Sequence, residues 1–258
     1  MNEDDKIPFT SHLEELRRRL IIAVIAIAIG FAASYGFKEY LFEILVRPLK
    51  LVMAEGDTLI FTNLPEAFFT YLKVAFLTGI GLASPVILYQ FWMFVAPGLY
   101  DKEKRLLLPI VFLSTLFFVG GALFGYFIVF PYGFEFFLGF ATETIRPMPS
   151  MKEYLAFAAK LLLAFGIVFE LPLVITFMAK LGLVTVPFLK RNRKYAILLF
   201  FAGSAILTPP DVVTQVMMAL PLMLLYEVSI IGARIFGRKP LEAEDTDDLE
   251  AGESPQGE

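Results

Sequence analysis

The feature that most limits this chain is its series of long apolar runs, each able to form a helix that crosses a lipid bilayer. A crossing needs about 20 apolar residues, because a helix rises 1.5 Å per residue and the hydrocarbon is roughly 30 Å thick. Six runs qualify as candidates: residues 20–37, 67–88, 106–130, 154–178, 195–207 and 212–231. Inside hydrocarbon every backbone N–H and C=O must find its partner within the protein, so these runs are expected to be helices and the fold all-α. Composition agrees. Hydrophobic residues make up 57% of the 258 residues and charged ones only 19%, which is the membrane class.

Orientation follows from where Lys and Arg fall. The N-terminal stretch, the loops after the second and fourth runs, and the stretch after the sixth carry 15 of them. The opposite side carries five: Lys38, Arg47, Lys50, Arg146 and Lys152. Both termini are therefore expected in the cytoplasm. Residues 1–239 form one membrane domain. The tail from Pro240 to Glu258 has eight acidic residues and no basic one, so the net charge of −4 divides into +4 on the body and −8 on the tail. Almost devoid of apolar residues, that tail is expected to be disordered.

Several features break the regular pattern. Residues 38–66 are too long for a tight turn, and Leu41, Phe42, Ile44, Leu45 and Leu49 suggest an amphipathic helix on the outer surface. Pro48 should end or bend it. Pro131 is expected to end the third span, while Pro85, Pro109, Pro172 and Pro221 should kink theirs. The fifth run of 13 residues rises only about 20 Å, so either flanking residues extend it or the bilayer thins around it. Gly121 and Gly125 make a small-xxx-small pair suited to close helix packing.

The stretch Ser11 to Arg19 reads as a helix start, with Ser11 as cap and Glu14 completing a capping box. His12, Glu15 and Arg19 share a face, and the ordinary reading of that spacing is a Glu15–Arg19 pair. Glu103 sits between Lys102 and Lys104 in an inner loop, where its neighbours normally neutralise it. Glu170 differs. It lies deep in the fourth span, where a charge costs at least about 2.5–3.5 kcal/mol, so a functional role is expected, with a buried hydrogen bond to a neighbouring helix as the alternative. Pro172 frees a carbonyl that could bond it if it is protonated. Thr214 and Gln215 are polar enough to bond a neighbouring helix. No enzyme signature is present. There is no cysteine, and the one histidine, His12, lies outside the spans. Asp211 stands alone at a turn. No metal, cofactor or nucleic-acid site is implied.

In order and spacing, Ser11 to Leu20, Ser84-Pro-Val-Ile-Leu-Tyr-Gln90 with Trp92, the loop to Arg105, Phe165 to Glu170, and Leu207-Thr-Pro-Pro-Asp211 with Gln215 resemble the TatC family. TatC is the multi-spanning receptor subunit of the twin-arginine protein translocase, and the resemblance runs from about Phe9 to Gly237. It implies six helices in a concave, cup-like bundle with the fifth and sixth short. It also implies a signal-peptide receptor in the bacterial inner membrane, exporting folded proteins on the proton-motive force. Glu15 and Glu103 match the positions that take the arginine pair, with Arg17, Arg19, Phe94 and Arg105 around them. A guanidinium binds a carboxylate bidentately, which an ammonium cannot do. Pro48, Glu170, Asp211 and Gln215 match further functional positions. Thr208 and Gln215 match those implicated in contact with the single-span TatA and TatB subunits, within a larger self-associating complex. Glu14 departs from relatives that are apolar there. A proton-coupled secondary transporter using Glu170 is the competing reading; it lacks the inverted repeats such transporters show.

Overall fold

The structure is a computed structural model that describes residues 9–54, 56–95, 107–142, 144, 146–208 and 211–237, with backbone only for residues 9–11. Helix α1 spans Phe9–Tyr35 and α2 spans Lys38–Lys50, and the two meet at 90°. The right angle sets α2 across the direction of α1, the arrangement that a helix on the membrane surface would need. Helix α1 begins before Ser11, so Ser11 lies inside the helix and is not its cap. The series Phe9, Leu13, Leu16 and Leu20 already has helical spacing from Phe9, so the helix takes in the residues before Ser11.

Pro48 does not end α2, which continues to Lys50. Having no N–H, Pro48 leaves the Ile44 carbonyl without its helical donor. The Tyr126 hydroxyl donates to that carbonyl at 2.5 Å, and the Tyr154 hydroxyl donates to the adjacent Leu45 carbonyl at 2.5 Å. The proline thus creates the acceptor that Tyr126 uses, and the Tyr154 bond to the next carbonyl gives α2 a second tie to another helix. Helix α3 (Glu66–Val95) uses the same device internally: Pro85 strands the Gly81 carbonyl, and Ser84 Oγ donates to it at 2.7 Å.

The third span runs from Leu107 to Leu138 as α4 (Leu107–Phe124), a π-helical turn (Gly125–Val129) and α5 (Phe130–Leu138). Pro131 therefore does not terminate it. The proline falls in the first turn of α5, where a missing N–H costs no helical bond, and the π turn takes up the change of register. The fourth span is α6 (Met151–Phe169) and α7 (Leu171–Lys180), broken at Glu170 with Pro172 opening the second half. After α8 (Val186–Arg191), α9 (Arg193–Leu207) has 15 residues, two more than the apolar run, and rises only about 22 Å. Helix α10 (Val212–Phe236) has 25 and is long enough to cross. The two last spans are the shortest, but the deficit belongs to the fifth.

Close backbone contact ties the spans together. A Cβ on Gly30 of α1 would stand 2.5 Å from the Gly79 carbonyl oxygen of α3, so only glycine fits that crossing. Gly121 likewise meets the backbone of Phe165, which assigns the Gly121–Gly125 pair to packing within the chain. The main core gathers Phe130, Leu155, Leu161 and Phe165; a smaller one holds Trp92, Leu107, Val111 and Phe177. An apolar cavity of about 210 Å³ remains between α2, α3, α4 and α6.

At the α2 end of the bundle, which the Lys and Arg distribution leads one to expect on the outer side with the opposite end inner, one residue joins two loops. Glu66 is 5% exposed; its Oε2 accepts from Thr62 N at 2.8 Å, Thr62 Oγ1 at 3.0 Å and Asn63 N at 3.3 Å. Its Oε1 accepts from Ser150 Oγ at 2.7 Å and Lys152 N at 3.1 Å. Ser150 sits at the N-cap of α6 yet makes no cap bond with its hydroxyl, because Glu66 caps that helix from outside. A short parallel bridge between Ile60 and Ser150 completes the join.

Candidate functional site

At the inner end, α1 and α3 enclose a cavity of about 580 Å³ whose walls include Glu14, Glu15, Arg18, Arg19 and Gln90. Glu15 is paired with Arg19 one turn on: Arg19 Nε donates to Glu15 Oε1 at 3.0 Å and a second guanidinium nitrogen donates to the same oxygen. The expected surface pair therefore forms. His12 stacks on Phe94 with ring centroids 4.5 Å apart at 21°, which brings Phe94 beside the Glu15 face. Helical spacing explains this: His12 and Glu15 lie three residues apart and share a side of α1. Arg17 is exposed and does not line the cavity; Arg18 does. Glu103 and Arg105 lie outside the described residues.

Deeper in the membrane stands Glu170, at the break between α6 and α7. It lies about 15 Å along the helix axis from Lys180, in the inner half of the span. Its Oε2 accepts from Ser114 Oγ at 2.8 Å, and Ser114 accepts from Trp92 Nε1 at 2.6 Å. Its Oε1 is buried and has no hydrogen-bond partner among the described residues. The carbonyl released by Pro172 is not its partner: the one bond Glu170 makes is accepted from the hydroxyl of Ser114 on α4, and a carbonyl, itself an acceptor, could bond only a protonated carboxyl. Ser34 and Ser204 also keep an unpartnered hydroxyl, but a carboxylate oxygen loses far more on desolvation. Neither Ser114 nor Trp92 was singled out as a partner of Glu170 from the sequence. A lone serine within an apolar run and the chain's single tryptophan were the available signals.

At the outer end the α9–α10 turn gathers three of the expected residues. Asp211 caps α10: Oδ1 accepts from Thr214 N at 2.7 Å and Oδ2 accepts from the Thr214 hydroxyl. Thr208 is buried and donates to the Ser204 carbonyl at 2.9 Å. Gln215 Nε2 donates to the Phe201 carbonyl at 3.0 Å, so it does bond a neighbouring helix, within this chain. Pro48 is buried on α2. Among the described residues no group of His, Cys, Asp or Glu side chains is arranged to hold a metal ion.

Comparison with known proteins extends this picture. Residues 11–221 match the family described as Sec-independent protein translocase protein (TatC). The chain is 66% identical over 252 residues to the Sec-independent protein translocase protein TatC of Desulforapulum autotrophicum, covering 98% of this chain and 92% of that one. It is 49% identical over 245 residues to the protein of that name from Magnetococcus marinus, covering 95% and 90%. A crystal structure described as the twin arginine translocase receptor TatC superposes with a TM-score of 0.80 at 45% identity, covering 88% of this chain and 100% of that one. With its all-helical membrane fold, the chain belongs to the TatC family of Sec-independent protein translocase proteins.

Proposed function

We propose that this translocase subunit is the signal-peptide receptor and assembly core of its complex. The observation that carries the reading is the inner cavity, where Glu15 and Gln90 are held in one wall with the His12–Phe94 stack beside it. A cationic peptide entering there meets Arg18 and Arg19 as well, so net charge does not attract it. Specific carboxylates must do so. The incoming guanidinium takes over Glu15 from Arg19, with Glu103 as second acceptor, and Arg17, Arg105 and Phe94 frame the peptide. Thr208 and Gln215, with Asp211 and Pro48 at the outer end, meet the single-span TatA and TatB subunits. Transport of folded cargo draws on the proton-motive force, and Glu170 serves the transport step. The chain hydrolyses nothing. Both termini lie on the cytoplasmic side of the inner membrane, and residues 240–258 form a solvated tail.

Binding of paired-arginine and paired-lysine peptides to the full-length protein tests this. Losing one charge-assisted contact costs about 1.5–3 kcal/mol, or roughly ten- to over a hundredfold in affinity. Glu15→Gln and Glu103→Gln should each weaken the arginine peptide by that factor and the lysine peptide little. If the arginine preference survives in both variants, other residues read the signal. A proton-coupled transporter remains the second reading, favoured by the helix break beside Glu170; it predicts no arginine-specific binding at all.

A further inference from the structure

Ser114 is fully buried in a span where a serine hydroxyl ordinarily turns back on its own helix. Its neighbour Thr115 does so, donating to the Val111 carbonyl at 2.9 Å, and Ser229 donates to Leu225 at 2.7 Å. Ser114 instead makes both its bonds across helices. Trp92, 1% exposed on α3 and braced edge-on against Phe177 of α7, has a donor-only N–H that fills one lone pair of Ser114 Oγ. The single hydroxyl proton of Ser114 then goes to Glu170 Oε2. One chain of bonds thus joins three spans and settles the orientation of the carboxyl group.

We propose that Ser114, set by Trp92, is the positioning residue for Glu170, and that Oε1 is thereby the oxygen through which Glu170 takes up a proton. Because Oε2 is committed as an acceptor, a proton bound by Glu170 sits on Oε1, where no described residue competes for it. The functional consequence rests on Glu170 serving transport, as proposed above; the geometry does not.

Trp92 is the only tryptophan, so the emission of the intact protein in nanodiscs reports this position alone. Glu170→Gln is expected to shift that emission, and to cause no further shift once Ser114→Ala is present. The indole N–H band in ultraviolet resonance Raman spectra should move with Ser114→Ala and return with Ser114→Thr, which restores the hydroxyl. Export should fall with Ser114→Ala and recover with Ser114→Thr. Should Ser114→Ala fail to fold, Trp92→Phe keeps an aromatic ring beside Phe177 and removes the N–H donor together with the five-membered part of the indole. The Glu170 carboxyl band in infrared spectra should then shift. The relay is overturned if Glu170→Gln shifts Trp92 emission equally with and without Ser114→Ala, or if Trp92→Phe leaves the carboxyl band in place. Optical coupling with undiminished export in Glu170→Gln instead refutes the transport role and leaves the relay standing.

Discussion

Glu66 and Glu170 are both carboxylates at helix ends, 5% and 9% exposed, and the protein treats them in opposite ways. Glu66, at the outer end, accepts five hydrogen bonds through both oxygens, from two loops and the first turn of α6. Glu170, inside the membrane, accepts one, and its other oxygen accepts none from the described residues. A saturated carboxylate is a fastener. A buried one left half-satisfied is costly to keep, and such cost is borne where something must happen. The difference lies in the supply of donors: around Glu66 two loops and the α6 N-terminus offer free N–H groups, whereas the helix that starts beside Glu170 has Pro172 in its first turn and makes no cap bond to that side chain.

Breaking the outer fastener should have the largest effect on stability. Glu66→Ala leaves five donors and the α6 N-terminus without their acceptor. It is expected to lower the melting temperature more than removal of any other single carboxylate, and to open the 51–65 and 139–150 loops to protease. An unchanged melt and cleavage pattern places the fastening elsewhere, in the Ile60–Ser150 bridge. Next comes Tyr154→Phe, at the same end. It deprives the Leu45 carbonyl of its buried donor, for a loss of about 1–1.5 kcal/mol. If α2 were held by apolar packing alone, the phenylalanine would cost nothing.

Glu170→Gln sharpens the contrast from the other side. The amide oxygen can still accept from Ser114, so stability should change by less than about 1 kcal/mol, while export falls far more than signal-peptide crosslinking. Equal loss of export and crosslinking would move Glu170 into the recognition site, and a melt as low as that of Glu66→Ala would make it a second fastener. The smallest effect belongs to Glu227→Gln. That carboxylate pairs with Arg193 at 2.7 Å, but both side chains are about half exposed, so water and salt screen them and the cost is about 0.5 kcal/mol or less. A larger value would show that the α9–α10 pair is less hydrated than its exposure implies.

How much of this was legible beforehand differs from element to element. The apolar runs, the helix of residues 38–50, the short fifth helix and the Glu15–Arg19 pair all depend on spacing along one helix, and spacing is what a sequence displays. Boundaries were less secure. Pro131 reads as a stop, yet a π turn carries the helix past it, because the position of a proline relative to a turn is not written in its identity. Glu170 drew notice because a charge in an apolar run is conspicuous. Glu66 did not, since a glutamate at the edge of a run looks like solvated surface. Its five partners come from segments as far as 86 residues away along the chain.

The sequence by itself determined that this chain is a helical membrane protein and that Glu170 is out of place in its apolar run. Those are one-dimensional facts, fixed by hydrophobic length and by the need to satisfy each backbone group within its own helix. Only the tertiary structure decided which oxygen of Glu170 is held, that Trp92 and Ser114 hold it, that Tyr126 and Tyr154 take up carbonyls beside Pro48, and that Glu66 caps α6. Each is a hydrogen bond between separate helices. Its existence depends on crossing angles and close approach, set in turn by residues such as Gly30 and Gly121 that carry no chemistry of their own.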